Sequence, residues 1–179
     1  MGEGPPGATG RAEDYGGFRV TLTSSAAGGT VLIADFVNVD AAGKVNIVGG
    51  GIQFLGFDPG TGLTAPFYVF ANITVSIPSV EAAQATVEVI LVDADGQPVT
   101  LAGPEGQGTV RVHQDVDFRH KAAPGQQRPP MGFPGSSNLV LAFPGGLPLS
   151  AGSSYEWVVQ LNGTRLTSTT FFVPGPVAG

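Results

Sequence analysis

The 179-residue chain reads as all-β, an antiparallel β-sandwich of about eight or nine strands, on three observations. Apolar residues recur at every second position in several short segments, turn-forming residues separate those segments, and no window carries the period of an amphipathic helix. Composition agrees with this. Gly 28 and Pro 15 make up about a quarter of the chain against a usual share of roughly 12%, while 42% of the residues are hydrophobic. That is too apolar for a disordered chain. Glycine and proline therefore belong in turns and arms around a real core rather than in helices, where they cost about 1 and about 3 kcal/mol.

The first two strands lie between Thr30 and Phe57, where apolar runs flank Asp40-Ala41-Ala42-Gly43, a hairpin signal. The run Val31 to Val39 is apolar on both faces, which predicts a central place in a sheet. Gly49-Gly50-Gly51 interrupts its partner, where residues without side chains suit a bulge or a close backbone approach. From Pro66 to Ile77, Phe67, Val69, Ala71, Ile73, Val75 and Ile77 alternate with more polar neighbours, so one face goes inward. Ala85 to Val92 repeats the pattern through Val87, Val89 and Leu91. The turn Asp93-Ala94-Asp95-Gly96 then leads into a short strand, Pro98 to Ala102. Gly108 to Phe118 follows, with Val110, Val112, Val116 and Phe118 on one face beside Gln114, and Asn138 to Phe143 is another strand. Ser154 to Leu161 and Thr164 to Val173 close the chain around Asn162-Gly163, the dipeptide best suited to a type I′ turn. Near Val80 to Gln84 a single helical turn fits. Strands of this number and order suit an Ig/C2-like sandwich, with an eight-stranded closed barrel as the nearest competitor.

Three segments fall outside that core. Residues 1–19 form an extended N-terminal arm of Gly, Pro, Ala and charged residues, the sandwich domain covers 20–173, and 174–179 are a short tail. Within the domain, the proline-rich stretch 119–137 is a loop longer than the roughly 12 to 15 residues beyond which loops tend to be functional or disordered. Such segments bind by ordering on a neighbour. The candidate partner-binding residues are accordingly Tyr15, Phe18 and Arg19 in and beside the arm, and Arg119, Lys121, Arg128, Met131 and Phe133 in the loop.

Charge and motif content exclude more than they suggest. A net charge of -6 with eight Lys and Arg in all argues against nucleic acid. No stretch approaches the 18 or so apolar residues of a membrane span, and no secretion signal opens the chain, so synthesis in the cytoplasm without export or membrane insertion is expected. Position 6 is Pro where N-myristoylation wants Ser or Thr. There is no cysteine, hence no disulfide and no thiolate metal site. His113, Asp115 and Asp117 alternate on one strand face, but beside Arg111 and Arg119 they read as a mixed-charge exposed ladder rather than a metal site. The sequence from Asp93 lacks the Gly and Glu of a calcium loop, having Pro98 and Pro104 there. No Gly-x-Ser-x-Gly element exists, and both histidines, His113 and His120, have basic neighbours. The triple glycine opens no helix and so no nucleotide site. Trp157 shares its face with Tyr155, Val159 and Leu161 and reads as core rather than as a sugar platform. Asn72 and Asn162 head glycosylation sequons that matter solely in a secreted chain. No enzyme activity, cofactor or metal is expected.

The segments Leu32 to Asp40 and Gly43 to Gly49, together with Asn138 to Phe143, Gly152 to Gly163 and Phe171 to Val173, resemble a family of small all-β proteins of unknown function found in bacteria and their tailed phages. The resemblance spans roughly residues 30–173 and implies a compact sandwich and, for phage members, a role in the particle. It brings no catalytic residues. The expectation is a structural virion protein on the capsid exterior, a decoration protein binding the shell through its N-terminal arm and proline-rich loop, with the major capsid protein, other virion subunits or copies of itself as partners. A cytoplasmic bacterial binding module for a small ligand or protein is one alternative, and a tail or adaptor component is another.

Overall fold

The computed structural model describes residues 27–76, 84–103, 106–119, 125, 127, 129–130 and 132–175. Thirteen β-strands lie among them: β1 Ala27–Ala34, β2 Phe36–Val39, β3 Val45–Val48, β4 Phe57–Asp58, β5 Leu63–Thr64, β6 Phe67–Val75 and β7 Gln84–Asp93 in the first half. β8 Thr100–Gly103, β9 Gly106–Thr109, β10 Arg111–Asp117, β11 Gly135–Phe143, β12 Ser153–Leu161 and β13 Thr164–Val173 complete it. Seven of these build two antiparallel sheets, β1-β6-β11 and β10-β7-β12-β13, and the remaining six form three two-stranded ribbons. The chain is an all-β antiparallel sandwich.

Alternation builds its core. Val69, Ala71, Ile73 and Val75 of β6 point inward with Val31 and Ile33 of β1 and Leu139 of β11, and they meet Val87, Val89 and Leu91 of β7 and Trp157, Val159 and Leu161 of β12. Aromatic rings cross from sheet to sheet. Trp157 lies 5.5 Å from Phe143, Phe143 stacks on Phe67 at 4.8 Å, and Phe67 reaches Phe171, which stacks on Tyr155 at 5.8 Å. The Tyr155 hydroxyl accepts the Ser150 N–H, so its polar end is satisfied.

Three sequence expectations are corrected by the structure. The run Val31 to Val39 is not a central strand, because it breaks at Asp35: β1 is the edge of the three-stranded sheet, and β2 leaves to pair with β3. Its double-sided apolarity has another cause. Leu32 and Ala34 face outward, and with Phe70, Tyr68 and Val140 they are roofed by Val37 and Val45 of the β2–β3 ribbon, which makes a second small core outside the sandwich. The central strand is β6, buried on both faces at Phe70 and Ala71. The triple glycine does serve a close approach: Gly49 has φ of +62°, and a Cβ there would press on the Asp35 carboxylate.

The second correction concerns the segment Gly108 to Phe118, which is two strands and not one. Val110 donates its N–H to Val99 and accepts that of Leu91, so the chain changes partner from β8 to β7 at that residue. The expected loop 119–137 also ends earlier, since residues 135–137 already pair with β6. The arm 1–19, residues 176–179 and the helical turn expected at 80–84, apart from Gln84, lie outside the described residues.

Turn chemistry follows sequence closely. Asn162 and Gly163 have φ of 50° and 76°, both positive as a type I′ turn requires. At Asp93 the carboxylate accepts the N–H groups of Asp95 and Gln97, and Gly96 takes φ of +74°. Asp58 does the same work between β4 and β5, accepting the Gly60 N–H at 2.8 Å and the Thr61 hydroxyl at 2.9 Å. These bonds, the Gly60 one first, hold its carboxyl below the ordinary carboxylate value. A depressed folded-state value stabilises the fold above the unfolded value, and that stability is lost as pH falls through the folded one. An NMR titration should therefore place the Asp58 midpoint below that of an unbonded aspartate, and Thr61→Val should raise it. An unshifted midpoint would discount the turn's contribution.

Candidate functional site

Three exposed features differ from an ordinary sandwich surface. The first is the β2–β3 hairpin. Asp40 shapes its turn by accepting the N–H groups of Ala42 and Lys44, Gly43 takes φ of +78°, and Asn46 donates to Asn38 across the strands. The cross-strand pairs put Phe36 and Val48 on one face of the ribbon and Val37 and Ile47 on the other. Val37 is buried against the sheet, but Phe36, Val39, Ile47 and Val48 are exposed by 44%, 42%, 38% and 59%. Four large apolar residues bared on one eight-residue ribbon are more than scattered surface hydrophobics would supply. Phe36 is held in place by an edge contact with Tyr68 at 5.3 Å. Sequence reading missed this site because it assigned these residues to a sheet interior; the short run between Asp35 and Asp40 was the available signal that β2 is too brief for one.

The second feature is the strand β10, an edge of the four-stranded sheet whose first five residues are all exposed. Its outward face carries the expected ladder. Arg111 and His113 approach Glu88 of β7 at 3.9 Å and 3.2 Å, Asp115 accepts the Thr86 hydroxyl, and Asp117 accepts the Arg119 guanidinium. His113, Asp115 and Asp117 thus each have a different neighbour instead of converging on one point. Val112 faces the side of the second sheet yet stays exposed, because four strands overhang three.

The third feature is the exposed ring of Phe54 at the mouth of the sandwich. It meets Phe172 edge-on at 6.4 Å, where Gln53 and Leu55 exchange backbone hydrogen bonds with Phe172 and bridge β13 at that residue.

The candidate partner-binding residues divide between these surroundings and segments not described. Arg119 folds back onto Asp117, donating from Nε and Nη2 to both carboxylate oxygens, and those bonds and the carboxylate charge hold the guanidinium above its ordinary value. That side chain is half exposed and already engaged. Phe133 is 53% exposed, with its N–H donated to the Pro130 carbonyl. Tyr15, Phe18, Arg19, Lys121, Arg128 and Met131 lie outside the described residues.

No family model matches the chain, and no curated protein does. Among solved structures, an immunoglobulin-like protein from Pseudomonas aeruginosa is similar at 13% identity and a TM-score of 0.40, with 82% of this chain and 95% of that chain covered.

Among the described residues no three His, Asp or Glu side chains gather as a metal would require. No described helix is long and apolar enough to cross a membrane. What the described surface offers is apolar contact at a ribbon, an aromatic pair at the sandwich mouth and unpaired backbone at a sheet edge.

Proposed function

We propose that this chain is a non-enzymatic structural protein of a tailed-phage particle, a decoration protein that sits on the capsid exterior and contacts the major capsid protein or neighbouring virion subunits. The observation that supports it best is the β2–β3 hairpin. Its exposed apolar side chains stand on a ribbon pinned to a rigid sandwich by Val37, which is how a surface is pre-organised for protein contact rather than for chemistry. Contact through a rigid ribbon loses little conformational entropy on binding, whereas an ordering arm loses about 1 to 2 kcal/mol per residue. Of the readings that the resemblance to proteins of bacteria and their tailed phages implies, the one for phage members favours the particle as the partner.

Tailed-phage particles assembled in a bacterium that expresses this chain and banded on a density gradient should carry it in the DNA-filled particle fraction, in repeated copies by quantitative mass spectrometry. Recovery of the chain in the soluble fraction alone would overturn the reading. The variant Phe36→Ser with Val48→Ser should fold with an unchanged far-ultraviolet spectrum and lose particle association at least tenfold. Full retention would move the contact away from the hairpin.

A further inference from the structure

The sheet edges are handled unequally. β13 is bridged at Phe172 by Gln53 and Leu55, and β1 accepts the N–H groups of Gly51 and Ile52 at the Ile33 carbonyl. Among the described residues no strand pairs with the outer side of β11, which is uncharged, with nothing in Gly135–Phe143 that selects what pairs with it. β10 is bare and charged, and among the described residues no strand pairs with its outer side. An edge strand with unpaired N–H and C=O groups is a template for another strand, and its charges decide which one is accepted.

Those charges are complementary to themselves in reverse order. The strand reads Arg111, Val112, His113, Gln114, Asp115, Val116, Asp117. When two copies run antiparallel about a two-fold axis at Gln114, Arg111 falls opposite the partner's Asp117, His113 opposite the partner's Asp115, and Val112 opposite the partner's Val116. Gln114 meets itself. Sliding the pairing by two residues in either direction sets His113 against His113 or Asp115 against Asp115, and sliding it by one turns the ladder onto the wrong face. Only the register centred on Gln114 sets both carboxylates of the strand, Asp115 and Asp117, opposite an imidazole or a guanidinium. Within each chain Glu88 approaches Arg111 and His113 from the β7 side, and Arg119 donates to Asp117. The exposed Val112 gains an apolar neighbour on the other face.

We propose that this protein forms a two-fold homodimer by antiparallel β10–β10 pairing centred on Gln114, joining the two four-stranded sheets into one of eight strands. The interface is isologous, so the same seven residues serve both sides. Main-chain hydrogen bonds supply the attraction, and the exposed ion pairs set the register. The inference does not rest on the virion reading, and its test needs no particle.

Sedimentation velocity of the full chain from micromolar to millimolar concentration should show a monomer–dimer equilibrium. Arg111→Asp and Asp117→Arg each place two like-charged pairs across the axis and should each weaken the dimer at least tenfold. An equimolar mixture of the two variants has only opposite-charge pairs at those positions and should recover association as a heterodimer. His113→Asp mixed with Asp115→Lys provides an independent second pair should Asp117→Arg disturb the fold through Arg119. A wild type that stays monomeric at millimolar concentration overturns the proposal. So does association that neither single variant weakens, or mixtures that stay monomeric when circular dichroism shows both variants folded.

Discussion

Replacing Trp157 by alanine is expected to cost about 3 to 5 kcal/mol, lowering the melting temperature by roughly 6 to 20 °C. The indole is fully buried on the inner face of β12, between Leu91 of β7 and Thr169 of β13 in the sheet, and it faces Phe143 from the opposite sheet. Removing it vacates one end of the ring series that joins the two layers, and Phe143 then loses a neighbour that Phe67 alone cannot replace. Neither sheet can close the gap by itself, because each strand is held in register by its ladder. Trp157→Phe should cost distinctly less than the lost volume implies. Among the described residues the buried indole Nε1 has no hydrogen-bond partner, so phenylalanine removes that donor along with the ring. Urea unfolding followed by circular dichroism measures both variants, since Trp157 is the single tryptophan and its fluorescence goes with it. A loss below about 1 kcal/mol for alanine would mean that the rings are not what couples the sheets.

Gly146→Ala should cost about 2 to 5 kcal/mol, more than the same change at any open turn. Gly146 has φ of +70°, which carries a penalty of about 1 to 2 kcal/mol for a residue with a Cβ. Its Cβ would also overlap the Thr64 carbonyl oxygen and lie 2.9 Å from the carbonyl carbon, and backbone cannot rotate aside as a side chain can. The neighbourhood is tied down from both sides. Thr64 donates its N–H to Leu147 and accepts the Leu147 N–H on its hydroxyl, both at 2.9 Å, and this threonine is itself buried. The pair fastens the β4–β5 ribbon to the loop that delivers Leu149 to the core. Gly43→Ala separates the two causes, since Gly43 has φ of +78° but nothing within 4 Å of an added Cβ. It should show the backbone penalty alone. Equal losses at the two positions in chemical denaturation would show that the clash with Thr64 relaxes at no cost.

The long alternating segments were readable because each buries one face against a neighbouring sheet, and residues two apart must then agree in polarity. Val87, Val89 and Leu91, or Tyr155, Trp157, Val159 and Leu161, satisfy that rule by themselves. The turns at Asp40, Asp93 and Asn162 were readable for a local reason. A carboxylate or amide beside a glycine dictates its own backbone path whatever surrounds it. The candidate site was less accessible. Phe36, Val39, Ile47 and Val48 have the composition of core residues, and composition alone cannot reveal that a three-stranded sheet leaves its outer face to be half covered by a ribbon.

Sequence by itself determined the class, the inward faces, the turn residues and the mixed-charge character of the strand at Arg111–Asp117, because these depend on neighbours one to four positions away. Tertiary structure decided which strands became edges, that Val31 to Val39 splits at Asp35, and that Val110 exchanges one partner strand for another. Those outcomes depend on hydrogen-bond partners tens of residues distant, as when Val31 faces Ala71 and Ala71 faces Leu139. Whether an apolar residue is buried or left bare is settled by what the rest of the chain has available to lay over it.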